Sequence, residues 1–270
     1  MVITRKLPIL RCDEDQCTKI HDPVVQETGL RIVLMDSQGE ENFAFIRTIP
    51  HEPKLLILGL LFTSRLVSTP MDLIQITVRN QLARVQVSET CNIHEKLAAL
   101  RPNARLVTGV CGPEESAIGT WQACDLPPVE ASYSVLLNSI RKAVQSMNAE
   151  MEIYRETGGT HGAALADQDG NLVILAEDVG RHNAVDRVIG KALEQAENLN
   201  SLMMVCSGRL TADLVLKVAV AQIPILASIS AAVDSGVELA DAAGITLIGF
   251  VRGERMNVYT HPNRLNLPIG

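Results

Sequence analysis

The pattern of hydrophobic and polar positions differs between the first part of this chain and the second half. In the first part, the pattern is strand-like over residues 31–35 and 42–46, and the run from Leu55 to Phe62 is apolar throughout. Short apolar runs of this length favour buried strands. The pattern therefore predicts three strands before residue 63.

One helix and two further strands are predicted before residue 111. Thr69 followed by Pro70 is typical of a helix start, because proline is favoured at the first helical position, and the helix extends to about Ala83. Strands follow at 85–88 and 105–110. Residues 1–28 are polar and show no clear period, and we interpret them as an irregular arm.

A domain boundary is predicted between residues 111 and 128. This stretch contains Gly112-Pro113, Gly119 and Pro127-Pro128 and few apolar residues. The prediction is a smaller N-terminal α+β domain over residues 1–125 and a second domain over residues 126–270.

The second half has a more regular pattern. A helix is predicted over 131–147, and then a hairpin whose strands, 162–167 and 171–177, flank the turn Gln168-Asp169-Gly170. Apolar residues from Val185 to Ala196 recur at helical spacing, which predicts a helix capped by Asn183 with Asp186 as the capping-box partner. Strands at 202–206, 225–228 and 246–250 then alternate with helices at 210–222 and 231–242.

This order of elements predicts an α/β fold with a largely parallel sheet and helices on both faces. Ligands in such sheets bind at the carboxyl ends of the strands. Polar, glycine-bearing segments follow the strands at 177–182, 207–209 and 252–255. Because the hairpin is antiparallel, residues 157–161 come to the same edge, so that four such segments are expected to meet there.

The residues in these segments suit a phosphate-bearing ligand. Gly158, Gly159 and Gly208 can present backbone N–H groups, and Gly208 precedes a helix whose predicted N-cap is Thr211. Arginine side chains add bidentate donors, at Arg181, Arg209, Arg252 and Arg255. The hypothesis is a nucleotide; the alternative is ordinary turns with solvated arginines. His161 and His182 are each candidates for ligand contact or for structural hydrogen bonding.

Composition and charge narrow the classes of partner. Aromatic residues make up 3% of the chain, and 24 Lys and Arg stand against 31 Asp and Glu, which gives a net charge of −7. This balance disfavours binding to nucleic acid or to an anionic membrane. The sequence shows no signal peptide or membrane span, so a cytoplasmic location and six reduced cysteines are expected.

The thiol in Thr108-Gly109-Val110-Cys111-Gly112 is the candidate nucleophile. Glycines on both sides of Cys111 can leave its sulfur accessible and bring backbone N–H groups near it; the alternative is a buried loop cysteine. Cys206 is interpreted as a core residue at a strand end.

The order of elements is also that of the cytidine deaminase fold, in which H-x-E and P-C-x-x-C motifs hold zinc. The corresponding positions are His182-Asn183-Ala184 and Ser207-Gly208-Arg209-Leu210-Thr211, so the glutamate and both thiolates are missing. No metal site is predicted, and the expectation is a three-layer, deaminase-like C-terminal domain without deaminase chemistry.

Several segments resemble the FdhD/NarQ family of formate dehydrogenase accessory proteins. Residues 157–165 match its T-G-G-x-H-x-A-A-L segment, and residues 177–186 match E-D-V-G-R-H-N-A-V-D at every position. Ser207-Gly208-Arg209 and the segment from Gly249 to Tyr259 also fit. The resemblance covers about residues 50–260.

The resemblance implies a cytoplasmic, dimeric sulfur carrier, a sulfurtransferase. Such a protein would pass persulfide sulfur from a cysteine desulfurase to a molybdenum cofactor bearing two guanine dinucleotides, for formate dehydrogenase. Cys111 would carry the sulfur. The cofactor-binding residues would be Gly158, Gly159, His161, Asp178, Arg181, His182, Ser207 and Arg209, with the family's C-terminal segment on Phe250, Val251, Arg252, Gly253, Glu254 and Arg255.

Two departures from the family pattern bear on this function. The family's thiol loop is C-G-x-C-G, and Thr108 stands here in place of its first cysteine; the segment after Pro70 reads I-T-V-R-N-Q-L over residues 76–82 instead of G-F-L-x-x-E-G. The main alternative is a cofactor-binding chaperone without sulfur transfer. A nucleotide hydrolase or deaminase is a weaker one.

Overall fold

Two β-sheets form the framework of the computed structural model, which describes residues 3–100, 126–131 and 133–267. The first sheet has four strands in the order β4-β3-β6-β5. Its strands are β3 (Thr28–Asp36), β4 (Gly39–Thr48), β5 (Leu73–Arg79) and β6 (Leu82–Val87). The strands predicted over 31–35, 42–46 and 85–88 are confirmed.

The predicted strand over Leu55–Phe62 is wrong, because these residues form helix α1 (Pro53–Thr63). Residues Leu55 to Leu61 are all buried, so that the helix is apolar on nearly every side. A helix enclosed on all sides carries no amphipathic stripe, and a short apolar run of this kind does not distinguish a buried helix from a buried strand.

The predicted helix from Thr69 to Ala83 is also wrong. Thr69 does start a turn with a capping box, but that turn is a 3₁₀ helix that ends at Asp72. Strands β5 and β6 follow, joined by Asn80 and Gln81, whose φ values of 48° and 65° give the two-residue turn typical of hairpins. The alternation of Ile74, Ile76 and Val78 is the sequence signal for β5.

Residues 4–25 are a regular hairpin rather than an irregular arm. Strands β1 (Thr4–Cys12) and β2 (Cys17–Val25) pair in antiparallel register from Thr4 opposite Val25 to Cys12 opposite Cys17. The expectation that all cysteines are thiols is wrong for this pair, because a disulfide joins Cys12 and Cys17 at the end of the hairpin. The hydrophobic pattern did not reveal these strands, because both faces of the hairpin are largely exposed and carry many polar side chains.

Helix α2 (Ile93–Leu100) ends the first described segment. The predicted strand over 105–110 and the Cys111 loop lie outside the described residues. The domain limits 1–125 and 126–270 stay a prediction.

The second sheet has six strands in the order β13-β12-β11-β10-β8-β9. Its strands are β8 (His161–Ala166), β9 (Leu172–Asp178), β10 (Met203–Cys206), β11 (Ile225–Ser228), β12 (Thr246–Arg252) and β13 (Arg255–Val258). Strands β10, β11 and β12 are parallel, and β8 pairs antiparallel with both β10 and β9. The predicted hairpin and the three later strands are confirmed.

Helices cover both faces of this sheet, as the pattern predicts. Helix α3 (Leu137–Glu150) packs on one face against Met203 and Val205. On the other face, Met204 and Cys206 lie in the core cluster that also contains residues of α5 (Arg181–Glu194), α6 (Ala212–Val220) and α7 (Asp234–Ala243). The short elements α4 (Glu152–Thr157), β7 (Val135–Leu136) and β14 (Leu265–Asn266) complete this half.

The start of α5 differs from its prediction. Gly180 is the N-cap, so Asn183 lies inside the helix, where its side-chain amide donates to Arg47 O at 2.7 Å and to Asp178 Oδ1 at 3.0 Å. Asp186 does not act in a capping box; its carboxylate accepts two hydrogen bonds from Lys217 Nζ, each of 2.9 Å. Arg47 and Lys217 come from other elements of the chain, so sequence spacing within the helix does not reveal these contacts.

Candidate functional site

Five segments meet at the edge of the six-stranded sheet where β9, β10, β11 and β12 end and β8 begins. We call this edge the rim and define it as residues 157–161, 177–182, 207–209, 228–232 and 250–255. Four of these segments are the ones expected from the sequence. With strands about 4.8 Å apart, the ends of β10 and β12 are separated by about 10 Å.

The segments before β8 and after β10 are joined through Ser207. Its Oγ accepts a hydrogen bond from Gly162 N–H at 3.1 Å and lies 3.1 Å from His161 Nδ1. Burial, and then the charge of Arg181, lowers the pKa of His161. The ring is therefore neutral near pH 7, and a hydroxyl that donates to Nδ1 leaves the ring proton on Nε2.

The N-terminus of α5 brings Arg181 to the same place. Gly208 packs against the stem of this side chain: a Cβ at position 208 would lie 2.8 Å from Arg181 Cβ and 3.0 Å from its Cδ. Glycine is needed here because the Arg181 stem occupies the space. The first turn of α5 contains no acidic residue, so the helix dipole and Arg181 both favour an anion.

His182 is the polar group of the rim with the most perturbed environment. Burial, followed by the charges of Lys217, Arg181 and His161, lowers the pKa of His182 to about 3. Its Nε2 atom is buried and has no hydrogen-bond partner among the described residues. A buried polar atom without a partner costs about 1–3 kcal/mol, so its persistence points to a ligand or water contact.

Asp178, a predicted ligand contact, is instead part of the framework. It is fully buried, and its carboxylate accepts hydrogen bonds from Thr48 Oγ1 at 2.6 Å, Arg187 Nε at 2.7 Å and Asn183 Nδ2 at 3.0 Å. Both of its carboxylate oxygens accept hydrogen bonds from groups inside the protein. Asp178 therefore holds the turn before α5 rather than facing the rim.

Glu177 has a similar framework role. Its carboxylate accepts hydrogen bonds from the backbone N–H groups of Ile153 and Tyr154, at 2.9 and 2.8 Å, and from Thr160 Oγ1 at 2.6 Å. It thus fixes the start of α4 and the segment that leads to His161. The first two residues of the E-D-V-G-R-H-N segment shape the rim, and Arg181, at the start of α5, packs on Gly208 there.

The end of β12 carries the remaining predicted residues. Phe250 has a φ of +53°, at an irregularity in the pairing of β12 with β13, and Arg252 and Arg255 lie over its ring at 5.6 and 5.7 Å. Arg252 Nε donates to Ile229 O at 2.8 Å, which holds this arginine across the end of β11. Val251 is 3% exposed and packs in the core, so its side chain is not at the rim surface.

The other predicted residues occupy loop positions. Gly158 has a φ of +68° and ends α4, and a Cβ on Gly159 would lie 2.5 Å from Val25 Cγ1 of the N-terminal hairpin. Arg209, Gly253 and Glu254 are exposed. The role of all these positions in binding stays a prediction.

Sequence reasoning missed the segment after β11. Ser228 Oγ donates to Gly208 O at 2.7 Å and accepts from Ser230 N–H at 3.0 Å, and Ser230 O accepts from Phe250 N–H at 2.9 Å. These bonds tie the ends of β10, β11 and β12 together. The signal was available, since the rule about strand ends applies to β11 as well.

Cys206, at the end of β10, is a buried thiol. Cys206 is 2% exposed, and burial raises the pKa of its thiol to about 11, which confirms that it is a core residue at a strand end. Cys111 lies outside the described residues. Within 3–100, 126–131 and 133–267, no group of three or more His, Cys, Asp or Glu side chains is arranged to hold a metal ion.

Most of the chain matches one known protein family. The model of the FdhD/NarQ family matches residues 25–266. The chain belongs to the FdhD/NarQ family. No helix in the described parts of the chain has the length and apolar character needed to span a membrane.

Two relatives align with almost the whole chain. A protein named sulfur carrier protein FdhD from Streptomyces coelicolor is 33% identical over 283 residues, which cover 98% of this chain and 96% of the relative. A protein of the same name from Saccharolobus solfataricus is 32% identical over 266 residues, covering 98% of this chain and 99% of the relative.

A solved structure has the same fold. The crystal structure of a protein assigned as a formate dehydrogenase accessory protein from Desulfotalea psychrophila superimposes with a TM-score of 0.75. The two chains are 24% identical, and the match covers 98% of this chain and all of the other. This likeness supports the mixed α/β architecture.

Proposed function

We propose that this FdhD/NarQ family member is a sulfur carrier, which passes persulfide sulfur from a cysteine desulfurase to a molybdenum cofactor bearing two guanine dinucleotides. The cofactor is the substrate, and the enzyme that receives it is formate dehydrogenase. Relatives across the length of the chain are named sulfur carrier proteins, which supports this role. We further propose a cytoplasmic homodimer whose second half is a deaminase-type scaffold without zinc.

The observation that carries the proposal is the set of donors at the rim. Three polar groups lie on adjacent segments of the rim. They are Arg181 at a helix N-terminus without acidic residues, the neutral His161 beside Ser207, and His182, whose Nε2 has no hydrogen-bond partner among the described residues. Arg252 and Arg255 follow along the same edge. These groups suit the diphosphate and the polar base of a guanine nucleotide.

The first chemical step needs one sulfur nucleophile. The Cys111 thiolate attacks the terminal sulfane sulfur of the desulfurase persulfide, forms a new S–S bond, and releases the desulfurase cysteine as a thiolate. Oxidation states are conserved in this exchange. Delivery of the sulfur to the metal as sulfide takes two further electrons, which a dithiol reductant supplies.

Replacement of Cys111 tests the carrier function. We expect Cys111→Ala to lose persulfide after incubation with a cysteine desulfurase and cysteine, and to lose cofactor sulfuration, because Cys111 is the nucleophile. Persulfide is measured by mass spectrometry after alkylation, with Cys206→Ala as the matched control because this thiol is buried. If sulfuration survives in Cys111→Ala, the carrier proposal is wrong, and the alternative is a cofactor-binding chaperone without sulfur transfer.

Replacement of Arg181 tests the binding site separately. We expect Arg181→Ala to weaken the binding of guanosine diphosphate by about 1.5–3 kcal/mol, the contribution of a hydrogen bond to a charged group, which is roughly 10- to 150-fold in Kd. Isothermal titration calorimetry measures the affinity, and Arg79→Ala on the exposed face of β5 is the control. Unchanged affinity would remove Arg181 from the site.

A further inference from the structure

The disulfide at the end of the β1–β2 hairpin is chemically accessible. Cys12 and Cys17 are both exposed, whereas Cys91 and Cys206, the free cysteines of the described chain, are buried. The family match begins at residue 25, so this pair lies in a segment that precedes it. A thiolate needs access to one sulfur of a disulfide in order to attack it, and this pair provides that access.

Contacts other than the disulfide also hold the register of the hairpin. Backbone pairing runs from Thr4 to Cys12, and Asp13 N–H donates to Gln16 O at 2.9 Å beyond the disulfide. An ion pair of 2.8 Å between Arg11 and Asp22 also joins the strands. Because a cross-link between residues only 5 apart in sequence constrains the unfolded chain little, the bond can open and close while the ladder persists.

The charge around this disulfide is negative. Asp13, Glu14 and Asp15 form the turn between the two cysteines, and all three are exposed. Two cations lie near the cysteines in sequence: Arg11 is engaged with Asp22, and Lys19 is exposed two residues after Cys17, so the three acidic residues of the turn outnumber the one cation that is not paired with Asp22. Like charges repel an approaching anion, so a negatively charged thiol meets a barrier that an uncharged or cationic thiol does not.

We propose that Cys12 and Cys17 form a thiol–disulfide exchange site for low-molecular-weight thiols without net negative charge. A thiolate attacks one sulfur of the pair, which breaks the Cys12–Cys17 bond and gives a mixed disulfide and one free cysteine thiolate. A second thiolate attacks the small-molecule sulfur of the mixed disulfide. The products are the Cys12/Cys17 dithiol and an oxidised small-molecule disulfide, so that two electrons pass to the protein.

Differential alkylation after reduction tests the proposal. The full chain is incubated with excess cysteamine or thioglycolate, quenched with a maleimide and digested with trypsin. Cleavage after Arg11 and Lys19 places both cysteines in the single peptide CDEDQCTK, which gains two labels only when the disulfide has been reduced. For each thiol, the rate of reduction of the protein disulfide is divided by its rate of reduction of hydroxyethyl disulfide, which is uncharged. The ratio removes the difference in intrinsic reactivity between the two thiols.

We expect the normalised rate to be about fivefold higher for cysteamine than for thioglycolate, from charge repulsion close to the disulfide. Neutralisation in Asp13→Asn/Glu14→Gln/Asp15→Asn, or high salt, should bring the ratio close to one. A peptide that stays unlabelled in excess thiol, or equal rates for both thiols in the wild type, would overturn the proposal. Cys111 lies in a different tryptic peptide, so failure here leaves the sulfur-carrier proposal standing.

Discussion

His182 illustrates how the surroundings decide what a residue can do. An ordinary histidine titrates near pH 6.5, but burial and the charges of Lys217, Arg181 and His161 bring the pKa of His182 to about 3. The imidazole therefore stays neutral over the physiological range. It is available for hydrogen bonding at the rim and not for charge pairing with phosphate.

The lowered pKa of His182 predicts a pH dependence of stability. Between pH 6.5 and 3 the unfolded chain binds a proton at this residue and the folded chain does not, so the free energy of unfolding falls as the pH falls. From pH 7 to pH 5 this residue should account for about 2 kcal/mol of lost stability. Urea unfolding of the wild type and of His182→Asn at the two pH values measures the difference.

His21→Asn, which removes an exposed histidine from the hairpin, is the control for His182→Asn and should lose as much stability on acidification as the wild type. The same loss in His182→Asn as in the wild type would show that His182 is not held neutral by its surroundings.

Asp178 and Arg181 show the limit of residue-level prediction. They lie three positions apart in one motif, and both were predicted to contact the ligand. The carboxylate is fully buried and hydrogen-bonded inside the protein, whereas the arginine packs on Gly208 at the rim. A motif identifies the segment, but the direction of each side chain depends on the turn that carries it.

At the scale of elements, the crossing of α1 and α5 depends on two glycines. A Cβ on Gly59 would lie 1.7 Å from Asp186 O, and a Cβ on Gly190 would lie 2.0 Å from Leu55 O. Both clashes involve backbone atoms, which cannot rotate away. The two helices therefore approach as closely as their backbones allow, and only glycine fits at these positions.

This close approach predicts a reversal of the usual effect of alanine in a helix. Replacing glycine with alanine normally stabilises a helix by about 0.5–1 kcal/mol. Gly190→Ala should instead lower the free energy of unfolding by at least about 2 kcal/mol, because α1 and α5 must move apart to accommodate the methyl group. Chemical denaturation measures the change. Glu194→Ala, at an exposed position of α5, should change stability by less than about 0.5 kcal/mol. A stabilised Gly190→Ala would contradict the crossing.

The N-terminal hairpin is protected against further strand pairing. The bonds from Asp13 N–H to Gln16 O and from Gln26 N–H to Ile3 O show that odd-numbered residues of β1 make the hydrogen-bonded pairs. The nitrogens of Pro8 and Pro23 therefore face away from the partner strand on both edges. Because proline has no N–H to offer, each edge is poor at accepting another strand.

At the scale of the whole molecule, buried polar networks connect the two sheets. Arg187 of α5 donates to Asp178, to Thr48 Oγ1 and to backbone oxygens of the segment between β4 and α1, at distances of 2.7–3.2 Å. Lys217 of α6 bonds Asp186 of α5 and Thr63 of α1 at 2.9–3.1 Å. These contacts fix α1 against the sheet that forms the rim.

The local pattern by itself determined most of the second half of the chain. Short apolar runs, the turn signal at 168–170 and helical stripes predicted the β8–β9 hairpin, the strands that follow it, and helices on both faces, because buried strands are short apolar runs and a helix with one buried face repeats its apolar residues at helical spacing. The strand-end rule then gave the rim, and the matched motifs gave the family. No partner distant in sequence was needed for any of these.

Tertiary structure alone decided the nature of α1, the β1–β2 hairpin and its disulfide, and the inward direction of Asp178. An enclosed helix such as α1 has no polar face to reveal its period, and an exposed hairpin has no apolar face. Asp178 and Asp186 each accept a hydrogen bond from a threonine more than a hundred residues away, at Thr48 and Thr63. Such contacts form only when the chain has folded, so the spacing of residues along the sequence does not predict them.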